Sequence, residues 1–333
     1  MAKVKELKTR SNDYWDKRFN DLNNKTFNTA DKSHKQLNNL FRGTYQEMNK
    51  EVQAFYSKYG SIKESPKFKT LSDGTKVADG TSKKLIVTPQ AANVSLKKGT
   101  RLTSLENQLN IILQGMSKEQ NQLMISTLST TAVDTYYGSI YEIYRGYGVG
   151  QSFNLLTPTV VNSLIKNPVN GQSFSTRVWN NRDKLQNVVQ QTINNGIIQG
   201  LSNGEMAKRL SDNMGSGYQV AKRLIDTEVT NSLNQASILG YQESGIVQEY
   251  QFLATLDNRT SAVCTDLDLE VFKLKDATTG INLPPMHVNC RSTTRAYFDN
   301  SAEGLTRVAR GLDGKVFTVP GSMTVKEFKE KYT

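Results

Sequence analysis

The chain holds two cysteines and two histidines, and three of these four side chains fall within one short stretch. Cys264 precedes His287 by 23 positions, and Cys290 follows it by three. A loop-borne His-x-x-Cys facing an upstream cysteine presents two soft thiolates and an imidazole to one small cation, which is the chemistry of a zinc site. A closed structural site uses four ligands, and here three are evident. Asp268, Asp266 or a water is the candidate fourth. The incomplete set favours a plainer reading, in which Cys264, His287 and Cys290 are packed and hydrogen-bonded and no cofactor is held. A Cys264–Cys290 disulfide is a third reading, disfavoured in a reducing cytosol. A Cys264 nucleophile with His287 as its base is a fourth, without a family signature to support it.

The same stretch supplies the elements that must position these groups. Tyr250 to Leu256 alternates apolar and polar residues as a half-buried strand does. Asp257-Asn258-Arg259-Thr260 then bends the chain, and Asp257 is placed to accept from backbone N–H groups of that turn or from Arg259. A short helical turn is predicted over Ser261–Leu267, a second strand over Glu270–Leu274, and a loop over Asp276–Pro285 with Gly280 and the rigid Pro284-Pro285. A third strand is predicted over Ser292–Phe298.

The preceding chain reads as a helical support. Apolar residues recur at three- and four-residue steps through 5–59, including Phe19, Leu22, Leu37, Phe41, Met48 and Val52. His34 lies on a polar stretch and reads as solvated. Residues 60–101 change character: Pro66, Gly74, Gly80, Pro89 and Gly99 punctuate them, a hairpin turn is predicted at Ser72–Thr75, and a short strand at Leu85–Thr88. Lysines are dense there. Lys83, Lys84, Lys97 and Lys98 are the candidate contacts to a phosphate backbone, which dispersed lysines neutralise without reading sequence; a solvated basic loop is the plainer alternative. Helices are predicted to resume at Thr103 and to restart at Ser117. A tyrosine band follows from Tyr136 to Tyr147, reading as packing surface.

A first-turn proline at Pro158 opens a short helix, and Phe174–Ile198 forms a long amphipathic one. Ser202-Asn203-Gly204-Glu205 caps a helix over Met206–Met214, and another is predicted over Tyr218–Glu243. On that last helix Glu228 and Asn231 share a face, and a buried Glu228 paired with Arg259 or Arg291 would orient the turn-rich unit. The expected fold class is α+β, with a mainly helical N-terminal two-thirds and a small mixed C-terminal domain. The expected divisions are 1–59 (N-terminal helices), 60–102 (basic loop and hairpin), 103–245 (helical domain), 246–298 (α+β unit) and 299–333 (a tail ending in a short helix near Thr324–Phe328).

With 333 residues, the chain is long enough for two or three domains with real cores. Hydrophobic residues make up 37% and mean hydropathy is −0.53, which suits long helices with much solvated surface. A net charge of +11 and a pI near 9.4 favour a polyanion or an acidic protein surface as partner. Two cysteines exclude a disulfide-built secreted scaffold. The N-terminal residues lack the apolar core of a signal peptide, and no run of about eighteen apolar residues is present to span a bilayer. There is no Walker loop, no paired-histidine metal motif and no Gly-x-Ser-x-Gly.

The ordered set Asp257-x-Arg259-Thr260-x-x-x-Cys264-x-x-Leu267-Asp268, Phe272, Pro284-Pro285-x-His287-x-x-Cys290-Arg291 resembles the C-terminal domain of phage minor head proteins, the head-morphogenesis family similar to protein F of phage Mu. Ala221–Asn231 followed by Asn234-Gln235-Ala236 is similar to that family's Thr-Glu and Asn helix, and Gly196–Ser202 to its Gly-Ile-x-x-Gly-x-Ser turn. Two departures stand out. Ser261 and Ser292 occupy positions where many relatives carry cysteine, and Asp226 stands where relatives often read Arg.

The resemblance implies a minor capsid protein that acts in procapsid assembly through the portal, with portal, capsid or scaffolding protein as partners. It implies a place inside the head, non-specific contact with double-stranded DNA, release with that DNA, assembly in the host cytoplasm without a membrane, and no catalysis. On this reading Asp257, Arg259, Thr260, Cys264, Asp268, Pro285, His287, Cys290 and Arg291 shape the C-terminal unit, with Glu228 and Asn231 on its supporting helix. The alternative is a zinc- or thiol-dependent hydrolase or nuclease using Cys264, His287 and Cys290.

Overall fold

A computed structural model describes residues 12–59, 68–70, 76–78, 89–147, 152–199, 201–298 and 306–332. The described residues form an α+β protein of mostly long helices, with small antiparallel sheets concentrated toward the C-terminus.

The helices are α1 (Asn12–Tyr59), α2 (Pro89–Tyr147), α3 (Pro158–Lys166), α4 (Phe174–Ile198), α5 (Asn203–Glu243), α6 (Ala262–Asp266) and α7 (Val325–Tyr332). The strands are β1 (Phe68–Thr70), β2 (Lys76–Ala78), β3 (Glu249–Leu253), β4 (Val271–Lys273), β5 (Thr293–Tyr297), β6 (Thr306–Arg310) and β7 (Val316–Pro320). β1 and β2 pair antiparallel on either side of the expected Ser72–Thr75 turn. That turn, the expected strand at 85–88, and Lys83 and Lys84 lie outside the described residues.

Three helix boundaries differ from expectation. α2 already begins at Pro89, so Lys97 and Lys98 belong to a helix rather than a loop. Proline is tolerated in a first turn because its missing N–H is unpaired there anyway. No new helix starts at Ser117, whose hydroxyl donates to the Leu113 carbonyl at 2.9 Å, one turn back within α2. α5 runs unbroken through Gly215 and Gly217. A Cβ on Gly217 would meet Leu185 at 3.0 Å and Phe41 at 3.2 Å, so this glycine serves close packing and does not end a helix. The capping at Ser202 is as expected: Glu205 N–H donates to Ser202 Oγ at 3.2 Å, and Ser202 N–H to Glu205 Oε2 at 2.8 Å.

The chain divides into two compact units. One comprises 37–120 and 178–220. Its core is helical: Leu37, Phe41, Met48 and Val52 of α1, Leu109 and Leu113 of α2, Val189 and Ile193 of α4, and Leu210 of α5 are all buried.

The other unit comprises 1–36, 121–177 and 221–333. Here parts of α1, α2 and α5 pack at close range. Ser33 and Thr127 hydroxyls lie 2.7 Å apart, and a Cβ on Gly240 would stand 3.0 Å from the Tyr136 carbonyl oxygen. From the tyrosine band, Tyr136 is buried and donates to the Asn154 carbonyl at 2.7 Å, while Tyr141 is exposed. His34 is not solvated as expected: its Nε2 lies 2.7 Å from Asp226 Oδ1, with the side chain 12% exposed. Burial would raise the Asp226 carboxyl, but the His34 and Lys222 contacts outweigh it and hold that group below the usual range. Asp226, where relatives often read Arg, thus has an ion-pairing role in this chain.

β4, β3 and β5 form an antiparallel sheet in that order, with Tyr250 opposite Phe272 on one side and Ala296 on the other. The expected tail belongs to this same unit. β6 and β7 form a hairpin whose Arg310 N–H donates to the Leu256 carbonyl at 3.0 Å. Ala309, Val319, Val325 and Phe328 join Phe252, Ala254, Leu256, Cys264 and Cys290 in one buried cluster.

Candidate functional site

The buried hub of the C-terminal unit is built on two carboxylates. Asp257, 2% exposed, closes its own turn by accepting from Arg259 N–H at 3.0 Å and from the Thr260 hydroxyl at 3.1 Å. Arg291 forks onto it, with Nη2 2.9 Å from Oδ1 and Nη1 against Oδ2. Burial would raise the Asp257 carboxyl, but Arg291 foremost, then Thr260 and the Arg259 backbone, hold it below the usual range. Arg259 itself is largely exposed, its Nε 3.7 Å from Asp257.

Asp268 is the second hub. Its oxygens accept from Ala254 N–H at 2.9 Å and Val325 N–H at 3.0 Å, and Arg307 forks onto them at 2.7 and 2.8 Å. Arg307 also donates to the carbonyls of Ala254 and Met323. One buried ion pair therefore ties β3, α6, β6 and α7 together. Arg307 is a residue that sequence reading passed over, because it lies in a segment read as a tail, 39 positions from its partner Asp268.

The thiols and imidazole converge on a pocket that Arg291 of the first hub also lines. Ser261 caps α6 by accepting Cys264 N–H at 3.3 Å, which turns Cys264 inward. The Pro284–Pro285 peptide is cis, and both prolines are buried. Asn289 takes φ +61, a left-handed conformation that asparagine tolerates better than most residues, and so returns the chain toward Cys290. Cys264 Sγ lies 3.4 Å from His287 Nε2 and 3.8 Å from Cys290 Sγ, and Ser261 Oγ lies 2.9 Å from the same Nε2. His287 Nδ1 faces the Val288 carbonyl at 3.0 Å. Both cysteines are free and buried. The hydrogen bond between them makes the thiols titrate as a pair. It raises Cys264, with burial adding to the rise, and lowers Cys290 despite burial. A pocket of about 270 Å³ opens on this cluster, lined also by Thr260, Arg259, Arg291 and Ser292.

The supporting helix engages the unit by a different face from the one expected. Glu228 pairs with Arg177 at 3.2 Å, not with Arg259 or Arg291, and Asn231 donates to the Asn167 carbonyl at 3.0 Å. The contacts to the site loop come from Thr227, which accepts Asn289 N–H at 2.8 Å, from Thr230, which donates to the Cys290 carbonyl at 2.9 Å, and from Asn234, 3.4 Å from the Ser292 carbonyl. At about 100° per residue, 227, 230 and 234 share one stripe and 228 and 231 the next. Their polar character at helical spacing was the available signal. Burial pushes the Glu228 carboxyl up to about 7, against the opposing effects of Arg177 and Asn231.

Residues 187–295 match the sequence model of a family described as Phage Mu protein F like protein. Over this segment the chain is similar to the Phage Mu protein F like family. Asp257, the Cys264–His287–Cys290 cluster and the α5 stripe all lie inside it, whereas Arg307 and α7 lie beyond it. Two curated relatives are similar over a wider span. "NAD(+)--arginine ADP-ribosyltransferase EFV" of Enterococcus faecalis is 27% identical over 220 residues, 62% of this chain and 45% of that protein. "Minor head protein GP7" of Bacillus phage SPP1 is 24% identical over 228 residues, 63% of this chain and 73% of that protein. The chain thus spans less than half of the first relative. No solved structure matches it.

Proposed function

We propose that this chain is a minor head protein of a tailed phage, a minor capsid component that joins the growing procapsid through the portal. In this reading it lies inside the head, touches packaged double-stranded DNA without reading sequence, and leaves with it on ejection. Assembly takes place in the host cytoplasm with portal, capsid or scaffolding protein as partners and without a membrane. Among the described residues no helix is long and apolar enough to cross one.

The observation that carries this reading is the coincidence of the family segment with the Asp257-centred unit, together with the similarity to a minor head protein over 73% of that protein's length. The chemistry of the unit supports an architectural role. The polar atoms of Asp257 and Asp268 are spent on holding segments together, which suits a surface that must keep its shape while a partner docks. The transferase activity in the name of the Enterococcus relative belongs to that protein and is not carried over.

The second reading, a thiol- or zinc-dependent hydrolase or nuclease, draws on Cys264 lying beside His287 at a pocket. Cys264 is buried and its sulfur lies against Cys290 Sγ at 3.8 Å, which disfavours it as a free nucleophile. Procapsids purified from cells making all head proteins, and from cells lacking only the portal, separate the readings. The head role predicts that the chain is present in the first and lost from the second. Equal amounts in both would remove the portal as its route of entry.

A further inference from the structure

The geometry points to a binding site for a zinc-class divalent cation at Cys264, His287 and Cys290. In a tetrahedral centre with metal–sulfur bonds of about 2.3 Å and metal–nitrogen bonds of about 2.0–2.1 Å, two sulfurs stand about 3.8 Å apart and a sulfur and a nitrogen about 3.6 Å. The Cys264 and Cys290 sulfurs are 3.8 Å apart, and Cys264 Sγ is 3.4 Å from His287 Nε2. All three donor atoms lie within 4.8 Å of one another. Two edges of a coordination tetrahedron are already in place. A disulfide would require sulfurs at about 2.0 Å.

Three further features fit a cation. His287 directs Nδ1 at the Val288 carbonyl, the second contact that metal-bound histidines usually make, and this leaves Nε2 with a lone pair facing the sulfurs. Two thiolates and a neutral imidazole cancel the charge of a divalent ion, so a neutral centre occupies this buried place. The fourth position faces the pocket beside Ser261 and Ser292, where a water completes the shell. Binding forms two metal–sulfur bonds, breaks two S–H bonds and delivers both protons to solvent. The centre fastens α6 to the 286–292 loop and is independent of the head role.

The test uses the full-length protein purified without chelator, with zinc content measured per folded chain and cobalt(II) added to the metal-free form. The site predicts close to one zinc per chain. With cobalt it predicts the visible bands of a tetrahedral ion and a near-ultraviolet thiolate charge-transfer band. Cys264→Ser, Cys290→Ser and His287→Ala each lower affinity by at least about tenfold. His287→Cys keeps the metal with a stronger thiolate band, which guards against a variant that loses binding only because it fails to fold. Wild-type protein that takes up no zinc and shows no cobalt–thiolate band overturns the site, as does binding unchanged in Cys264→Ser.

Discussion

Asp268 and Arg307 form the tightest joint of the C-terminal unit, with side chains 0% and 9% exposed. Breaking one half of such a pair leaves the other charge buried, at a cost of about 3–5 kcal/mol. Asp268→Asn is expected to lose stability in that range by urea unfolding, and Arg307→Met likewise. The double variant loses less than the two effects added, since neither charge is then stranded. Glu228 behaves differently. Its carboxyl is raised from 4.5 to about 7, so the folded chain holds that proton more tightly than the unfolded one. The contribution is full below the unfolded value and is lost as pH rises through the folded one. Relative to Glu228→Gln, the wild type is expected to lose about 3 kcal/mol of unfolding free energy between about pH 5 and pH 8. A difference that does not change with pH contradicts this.

The long helices derive their register from where they touch as much as from their own pattern. At Gly240 a Cβ would meet the Tyr136 backbone oxygen at 3.0 Å, whereas at Gly215 nothing lies within 4 Å. Gly215→Ala is expected to stabilise by about 0.5–1 kcal/mol through helix propensity. Gly240→Ala is expected to destabilise by about 1–3 kcal/mol through overpacking. Thermal unfolding of the two variants reads both signs. The same contrast explains what could be read from the chain alone. α4, the short strands around Asp257 and the Ser202 cap were legible because each is specified by local spacing. The continuity of α2 past Pro89 and of α5 past Gly217 was not, because tolerance of a proline or glycine depends on position in the helix and on the neighbour packed against it. His34, Arg177 and Arg307 were missed or misread for a related reason: each is paired with a residue distant in sequence. The cysteines and histidine were visible, but only their geometry showed that they converge.

On the proposed reading, a chain with net charge +11 lying beside packaged DNA should bind the duplex through phosphates. Its affinity is expected to fall steeply with salt. Replacing Lys83, Lys84, Lys97 and Lys98 by alanine should reduce the slope of log affinity against log salt by about 3–4 if all four face the backbone. An unchanged slope would move the contact elsewhere on the protein, and salt-independent or absent binding would remove DNA as a partner. On the proposed reading the chain stays in the head until the DNA leaves. Quantitative detection of the chain in purified, DNA-filled heads, before and after protease treatment of the intact particles, tests it most directly. A fixed number of copies per head, unchanged by protease, is expected. Heads that contain none, or that lose all copies to protease, contradict it.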